Sequence, residues 1–590
     1  MITSGVMRYL MEAFRRLIVT TWPSFLVALA AWISIVISID PAGSYPSMPE
    51  GPGLTIDEMF NVQQGVFLVE HARALGWLNL VPGTSIEAFS PKNKYNPDHP
   101  PLGRYWLGLH HHLAWWIAPP FEPDGPFVTA CARTGSATAF ALTVWLIGAF
   151  AANCLRSIEI TSTSNLEDGS GLVPAASCPM SRTGCCWDGL FASLALVLMP
   201  RVYGHAHLAA LESITNFTCT LAVLTIAAWW NRAAGPSHRH AISAGVVMGL
   251  AMLTKIQAIL VPVPVIVWAL WRWRLKAVAP LSSWGLTAVA VFFSGWPYLW
   301  LDPVGHFLEY LGRTTQRSTI YCYYFGVRYE DKLVPWHYPF VMFAVTVPVG
   351  LHLLGVFGLR SRPKITQTNQ PFVNDGNCDS TWTDGLLLAC CLFPLIVFAL
   401  PGVAVYDGER LFLTVFPLWA PFVGRGASKL AAWTRSRFGI RRAGIAIGLL
   451  ISLQIASNLL SHPTYLSYYN LAVGGLRGAD TLGLEMNYWG DAVTRDLLKR
   501  AVDDYGKGRL TSIQMTPSLH QFQSQELLRQ SPILRDWTQT GENVSSPKKL
   551  TLLITFRRRA DVNDQQFKDF SSGGQMGLRY YLAIIDVSGD

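Results

Sequence analysis

The sequence predicts an all-α polytopic membrane protein carrying a small α/β domain at its C-terminal end. Three observations predict it. The 590 residues are 51% hydrophobic and only 14% charged, with a mean hydropathy of +0.28, whereas a soluble domain is about a quarter charged. Apolar runs of spanning length recur from residue 17 to about residue 460. Basic residues gather in alternate loops between those runs, the pattern of the positive-inside rule.

In chain order, Arg8, Arg15 and Arg16 precede a first span over 17–39. They place the N-terminus in the cytoplasm and the loop 40–131 outside. The apolar run is long and lacks a small-residue cleavage site, so it reads as an uncleaved anchor. Residues 57–75 carry Met59, Val62, Val66 and Val69 at helical spacing, which predicts a helix lying at the interface. Residues 102–118 are apolar and Trp-rich but short, and include His110, His111 and His112. They read as a second interfacial or re-entrant helix.

Further spans are expected at 132–154, 187–205, 208–230, 241–255, 256–271, 281–300, 337–359, 384–402, 409–424 and 443–460, about eleven crossings in all. If 102–118 does not cross, Arg232, Arg272, Arg360, Arg425 and their basic neighbours all fall in cytoplasmic loops. If it crosses, all of them move outside, so charge favours the non-crossing reading. Residues 374–384 read as a polar cytoplasmic loop. Residues 1–460 thus form a transmembrane unit. Residues 461–590 are polar, with a helix expected over 491–507 and strand-like runs at 550–556 and 580–587. They form the extra-cytoplasmic C-terminal domain, and no internal repeat is visible.

The net charge of +8 is accounted for by the loops between spans, so nucleic-acid binding is not implied. The ten cysteines are scattered and absent from residues 54–109 and from the tail, which argues against a disulfide framework. Cys178, Cys185 and Cys186 lack a fourth ligand at a zinc spacing.

Chemistry concentrates on the outside face. Asp57-Glu58 follows the first span, and Asp98-His99-Pro100-Pro101-Leu102-Gly103-Arg104 leads into the second interfacial helix. Carboxylates this near hydrocarbon pay desolvation and suggest a site. The remaining outside turns supply Arg201, His205, His207 and Glu212, then Lys255, then Asp407, Glu409 and Arg410. Cations can hold a phosphate while a carboxylate takes a proton from a hydroxyl. Bland readings stand beside these. Asp57 is a general base or a helix cap, and Glu58 orients an acceptor or is merely solvated. Asp98 and His99 hold a phosphate or a metal, or simply form a prolyl turn. Lys255 contacts phosphate or snorkels. His205 and His207 are two apart and would face different sides of a helix.

The ordered set resembles the protein O-mannosyltransferases and aminoarabinose transferases, GT-C glycosyltransferases of the family 39-like type, in a bacterial branch. The carriers are Asp57-Glu58, His99-Pro100-Pro101-Leu102, Ala132-Arg133, the stretch from Pro200 to Glu212, and Gly249-Leu250-Ala251 running on to Lys255. The chain departs at Glu212, where the family has Asp, and at Asp98, where some relatives have Glu. The resemblance implies a GT-C fold and an inverting transfer of a sugar from a polyprenyl-phosphate donor to a hydroxyl of protein Ser/Thr, lipid or glycan. It implies Asp57 and Glu58 as catalytic. Asp98, His99, Arg104, Glu212, Lys255 and Arg410 would bind substrate. A divalent metal at Asp98 and His99 is compatible but not required. Glu212 is expected to line the Asp57 cavity and either to pair with a cation or to orient the sugar. The rival is a transporter or flippase of lipid-linked or anionic solutes. It would place charges at mid-membrane, often with paired repeats, whereas these charges lie on one face.

Overall fold

The computed structural model describes residues 21–76, 78, 81–90, 95–163, 183–231, 235–300, 302–315, 318–360, 380–516, 521–540, 548–561 and 582–589. The N-terminal arginines, Cys178, Arg232 and most of the 374–384 loop lie outside the described residues.

Helices dominate up to Ser461, and the chain is a multi-pass membrane protein. Among the described residues, Thr129–Ala152, Ile256–Ser294, Thr381–Phe398 and Ile440–Ser461 are long and apolar enough to cross a bilayer. A fifth is Tyr338–Thr346 with Val349–Arg360, a pair bent by 107°. The expected eleven spans are therefore not eleven uniform helices. Prolines break several of them: Pro200 separates Thr183–Val197 from Pro200–His205, and Pro348 lies in the bend, each removing a backbone donor and constraining its predecessor. The expected 241–255 span is a helix of 15 residues, His238–Met252, short of the roughly 20 residues a bilayer core needs.

Close helix contacts fix direction. A Cβ at Gly245 would sit 2.6 Å from the Trp284 carbonyl oxygen, and one at Gly249 would sit 2.7 Å from that of Ala288. Helices His238–Met252 and Val278–Ser294 therefore run parallel, with Pro262–Trp273 returning between them. Lys255 is thereby left at the same end as Gly295.

The helix expected over 57–75 is Ile56–Leu75, and Thr55, not Asp57, stands at its cap. Glu58 is the third helical residue and reaches back to the Thr55 amide at 2.9 Å, closing a capping box. This helix packs backbone to backbone on Leu102–Ile117, where a Cβ at Gly108 would lie 2.1 Å from the Gly65 carbonyl oxygen. Leu102–Ile117, with 16 residues, is not among the helices of spanning length.

A short hairpin, β1 (Tyr321–Tyr324) and β2 (Val327–Glu330), precedes the bent pair. The C-terminal residues build a three-stranded sheet, with β3 (Arg509–Thr516) parallel to β4 (Lys549–Phe556) and β5 (Ala583–Gly589) antiparallel to β4. The expected helix over 491–507 is Arg495–Tyr505. Strand β3 and helices Gln521–Gln530 and Pro532–Thr540 were not expected. Leu497, Trp537, Leu552 and Phe556 fill this core, and Leu54 of the opening loop joins them. Gln523 donates to the Leu54 carbonyl at 3.0 Å, and Arg495 reaches Asp40 at 3.3 Å. Loop and tail thus fold as one body over the helix ends.

Candidate active site

Three turns meet beneath that body. The Leu102 amide donates to the Leu253 carbonyl at 3.1 Å, and the Thr218 and Thr254 hydroxyls lie 3.1 Å apart. These bonds bring the Pro100-Pro101 turn, the start of helix Glu212–Trp229 and the Lys255 turn together. The fourth contributor is the loop before Val415–Phe438. There Asp407 (φ 54°) and Gly408 (φ 67°) are both left-handed, a conformation Asp tolerates and Gly adopts freely. A Cβ on Gly408 would also lie 2.8 Å from the Arg201 guanidinium.

This loop delivers Arg410, the hub of the site. Its Nη2 donates to Asp57 Oδ2, its Nε to Glu212 Oε1 at 2.7 Å and its Nη1 to Asp407 Oδ2 at 3.3 Å. Lys255 Nζ donates to the same Glu212 oxygen at 2.5 Å. Trp489 covers the guanidinium at 4.3 Å, a cation–π contact that also keeps water off one face. Asp57, Glu212, Lys255 and Arg410 are thus brought together, and Glu212 pairs with two cations. Asp57 remains 29% exposed while the Glu212 and Lys255 side chains are buried.

Glu58 requires a correction. Expected as the second catalytic carboxylate, it is fully buried and accepts from Thr55 N and Oγ1, Arg133 Nε and Nη2, and Ala209 N. Five donors saturate a carboxylate, so it has no lone pair to offer an acceptor. Ala132-Arg133 acquires its meaning here: Arg133 also donates to the Ile39, Pro52 and Gly53 carbonyls at 2.7–2.9 Å and ties the opening loop to the helices.

Asp98 and His99 are also corrected as metal ligands. Asp98 accepts from Asn96 at 2.6 Å and lies 3.8 Å from the exposed Arg313. His99 belongs to the cluster electrostatically. Burial, with Lys255, Arg104 and Arg410 nearby, holds its ring well below the usual histidine range. It is therefore neutral, and its Nδ1 is buried without a partner. Three cations around one imidazole do not fit a divalent metal. No group of three His, Cys, Asp or Glu side chains suited to one occurs among the described residues. Arg104 is buried and spent on Asn61 at 3.3 Å and the Asn96 carbonyl at 2.5 Å. It fixes the Asn96–Pro101 turn rather than facing the Arg410 cavity.

Behind the hub, Arg201 pairs with Glu409 at 2.6 Å, packs on Tyr469 at 4.5 Å and donates to the Tyr468 carbonyl. His205 lies 3.8 Å from Glu409. His207 bonds the Tyr203 carbonyl and Ser38, apart from His205, as their spacing suggested. Three contributors escaped the sequence reading. Arg558 pairs with Asp407 at 3.2 Å, yet it sits in an Arg557-Arg558-Arg559 run that looks like a solvated turn. Asn216 and Gln257 line the cavity with Glu212, Lys255 and Arg410. Only their spacing from Glu212 and Lys255 could have pointed to them.

No protein-family model matches the sequence, and no curated protein matches it. Among solved structures the chain is similar to ArnT from Cupriavidus metallidurans bound to undecaprenyl phosphate. That match is 11% identical, covers 96% of this chain and 97% of that one, and has a TM-score of 0.42. It is also similar to ArnT from Cupriavidus metallidurans in the apo state, at 12% identity, 98% coverage of each chain and a TM-score of 0.44. The residues, not this likeness, carry the assignment of the site.

Proposed function

We propose that the chain is a membrane glycosyltransferase of the GT-C type. It moves a sugar from a polyprenyl phosphate to a hydroxyl at the extra-cytoplasmic face, with the C-terminal residues on that face. The observation that carries the reading is the Arg410 hub: one guanidinium holding Asp57, Glu212 and Asp407 while Lys255 shares Glu212. With Arg558 on Asp407, three carboxylates face three cations. An incoming phosphate must therefore compete with carboxylates for Arg410 and Lys255.

That competition is productive. A phosphate oxygen that takes Arg410 Nη2 releases Asp57 from its ion pair. Asp57 then accepts the proton of the acceptor hydroxyl. The acceptor oxygen bonds to the anomeric carbon from the face opposite the phosphate, giving inversion. The carbon–oxygen bond to phosphate breaks, and its electron pair leaves on the polyprenyl phosphate, stabilised by Lys255 and Arg410. Neutral His99, beside these cations, adds no charge to repel the proton.

The assay is release of polyprenyl phosphate by the purified protein from a polyprenyl-phosphate sugar in bilayer discs. Turnover is expected to need both Asp57 and a hydroxyl acceptor. Asp57→Asn retaining full turnover in a folded sample would sink the base assignment. Solute uptake into proteoliposomes without sugar transfer would favour a transporter.

A further inference from the structure

The cavity beside the hub is chemically lopsided. Its cations point at carboxylates, while its other polar wall presents oxygen atoms that accept nothing. Glu212 gives both of its bonds through Oε1, and Oε2 is buried without a partner. Asn216 stands one turn further along the same helix, on the same face. It is 4% exposed, with Oδ1 unpartnered. Gln257, two residues past Lys255, adds Oε1, also unpartnered. All three residues line the one cavity.

A buried acceptor without a donor costs the fold free energy and calls for an explanation. Whatever completes this wall must donate hydrogen bonds. A phosphate, which only accepts, cannot satisfy these three oxygens and is left to Lys255 and Arg410. An ammonium group would donate to these oxygens, but it accepts nothing from the amide N–H groups that Asn216 and Gln257 carry beside them. Neutral hydroxyls meet both demands.

We propose that this wall is the subsite for the neutral hydroxyl groups of the transferred sugar, with Asn216 and Gln257 as its specificity-determining residues. The inference rests on the glycosyltransferase reading and names its donor class: a polyhydroxylated sugar rather than an amino sugar. A wall built to bond substrate hydroxyls rejects a ligand lacking them, because its acceptors then stay unpaired.

The test compares binding to the protein in bilayer discs. The probes are undecaprenyl phosphate, undecaprenyl-phosphate mannose, glucose and galactose, and the 4-amino-4-deoxyarabinose lipid. The tightest hexosyl lipid is expected to bind about tenfold more tightly than bare undecaprenyl phosphate. Gln257→Met and Asn216→Leu should each shrink that gap severalfold while leaving bare-lipid affinity unchanged. Gln257→Glu, which keeps an acceptor, should retain most of it. Asn216→Leu should also raise the melting temperature, because it removes an unpaired buried amide. The subsite is overturned if no hexosyl lipid binds more tightly than the bare lipid, if the amino sugar lipid binds tightest, or if both variants keep the gap. A variant that weakens both kinds of lipid alike and melts earlier shows a structural role and also overturns it. If wild-type protein binds no undecaprenyl phosphate at all, the glycosyltransferase reading itself fails.

Discussion

Asp57 and Glu58 are neighbours in sequence, each facing an arginine, and their surroundings set them apart. Glu58 is sealed with Arg133, both side chains at 0% exposure, and every oxygen lone pair is used. Asp57 meets Arg410 at 29% exposure and shares that cation with two other carboxylates. A saturated buried pair has nothing to give a substrate, and breaking it leaves a bare charge inside the fold. An oversubscribed cation can change partners at small cost. Saturation, more than burial or residue type, separates the carboxylate that holds the fold from the one that does chemistry.

The contrast breaks most visibly at the sealed pair. Arg133→Met strands the Glu58 charge and leaves the Ile39, Pro52 and Gly53 carbonyls without their donor. The expected cost is about 3–5 kcal/mol, read as loss of folded protein in detergent or a collapsed melting temperature. Glu58→Gln should also destabilise strongly. Asp57→Asn should leave the melting temperature within a few degrees. Equal stability losses at Asp57 and Glu58 would erase the distinction.

The next effect falls on turnover. Asp57→Asn should lower kcat by about 10²- to 10⁴-fold, the range of a lost general base. Lys255→Ala should act differently. It removes one charge-assisted contact to phosphate, so donor KM should rise about tenfold. Glu212→Gln keeps the shape but loosens the grip on both cations, and turnover should fall in a folded protein, whereas Glu212→Asp should be tolerated. A Lys255→Ala protein that loses only stability would make that residue structural.

Much of this site was legible in sequence because charge beside hydrocarbon is rare enough to stand out. Asp57 follows the first span, Glu212, Lys255 and Arg410 lie in or beside apolar runs, and the positive-inside pattern put all four on one face. What sequence could not show was partner count. Nothing in Asp57-Glu58 says that Ala209, 151 positions away, donates to the second carboxylate. The same blindness hid Asn216 and Gln257, whose meaning lies in lacking partners. The span boundaries failed for a different reason. Hydropathy reports how apolar a run is, whereas Pro200 and Pro348 decide where a helix stops. In the tail, only Leu510 of β3 is buried, an alternation too weak to announce a strand.

The smallest expected effect lies in the body that covers the hub. Glu485 is half-buried against the turn carrying Arg558. It accepts from the Arg559 and Ala560 amides at 2.7 and 3.0 Å, and burial pushes its carboxyl up from 4.5 to about 7. Asp491, beside Trp489, is likewise pushed up by burial, to about 6. A carboxyl whose folded pKa is raised favours the folded state when protonated. That contribution is complete below the unfolded value and is lost as pH rises through about 6 to 7. The tail should therefore grip the site loop more weakly at pH 8 than at pH 5. Arg558 would then hold Asp407, and through it Arg410, less firmly. The expected readout is a melting temperature that falls between pH 5 and pH 8 by a few degrees. Glu485→Gln, neutral at every pH, should flatten much of that slope. A slope unchanged in the variant would place the titrating group elsewhere and detach the tail's pH response from the Arg558–Asp407 link.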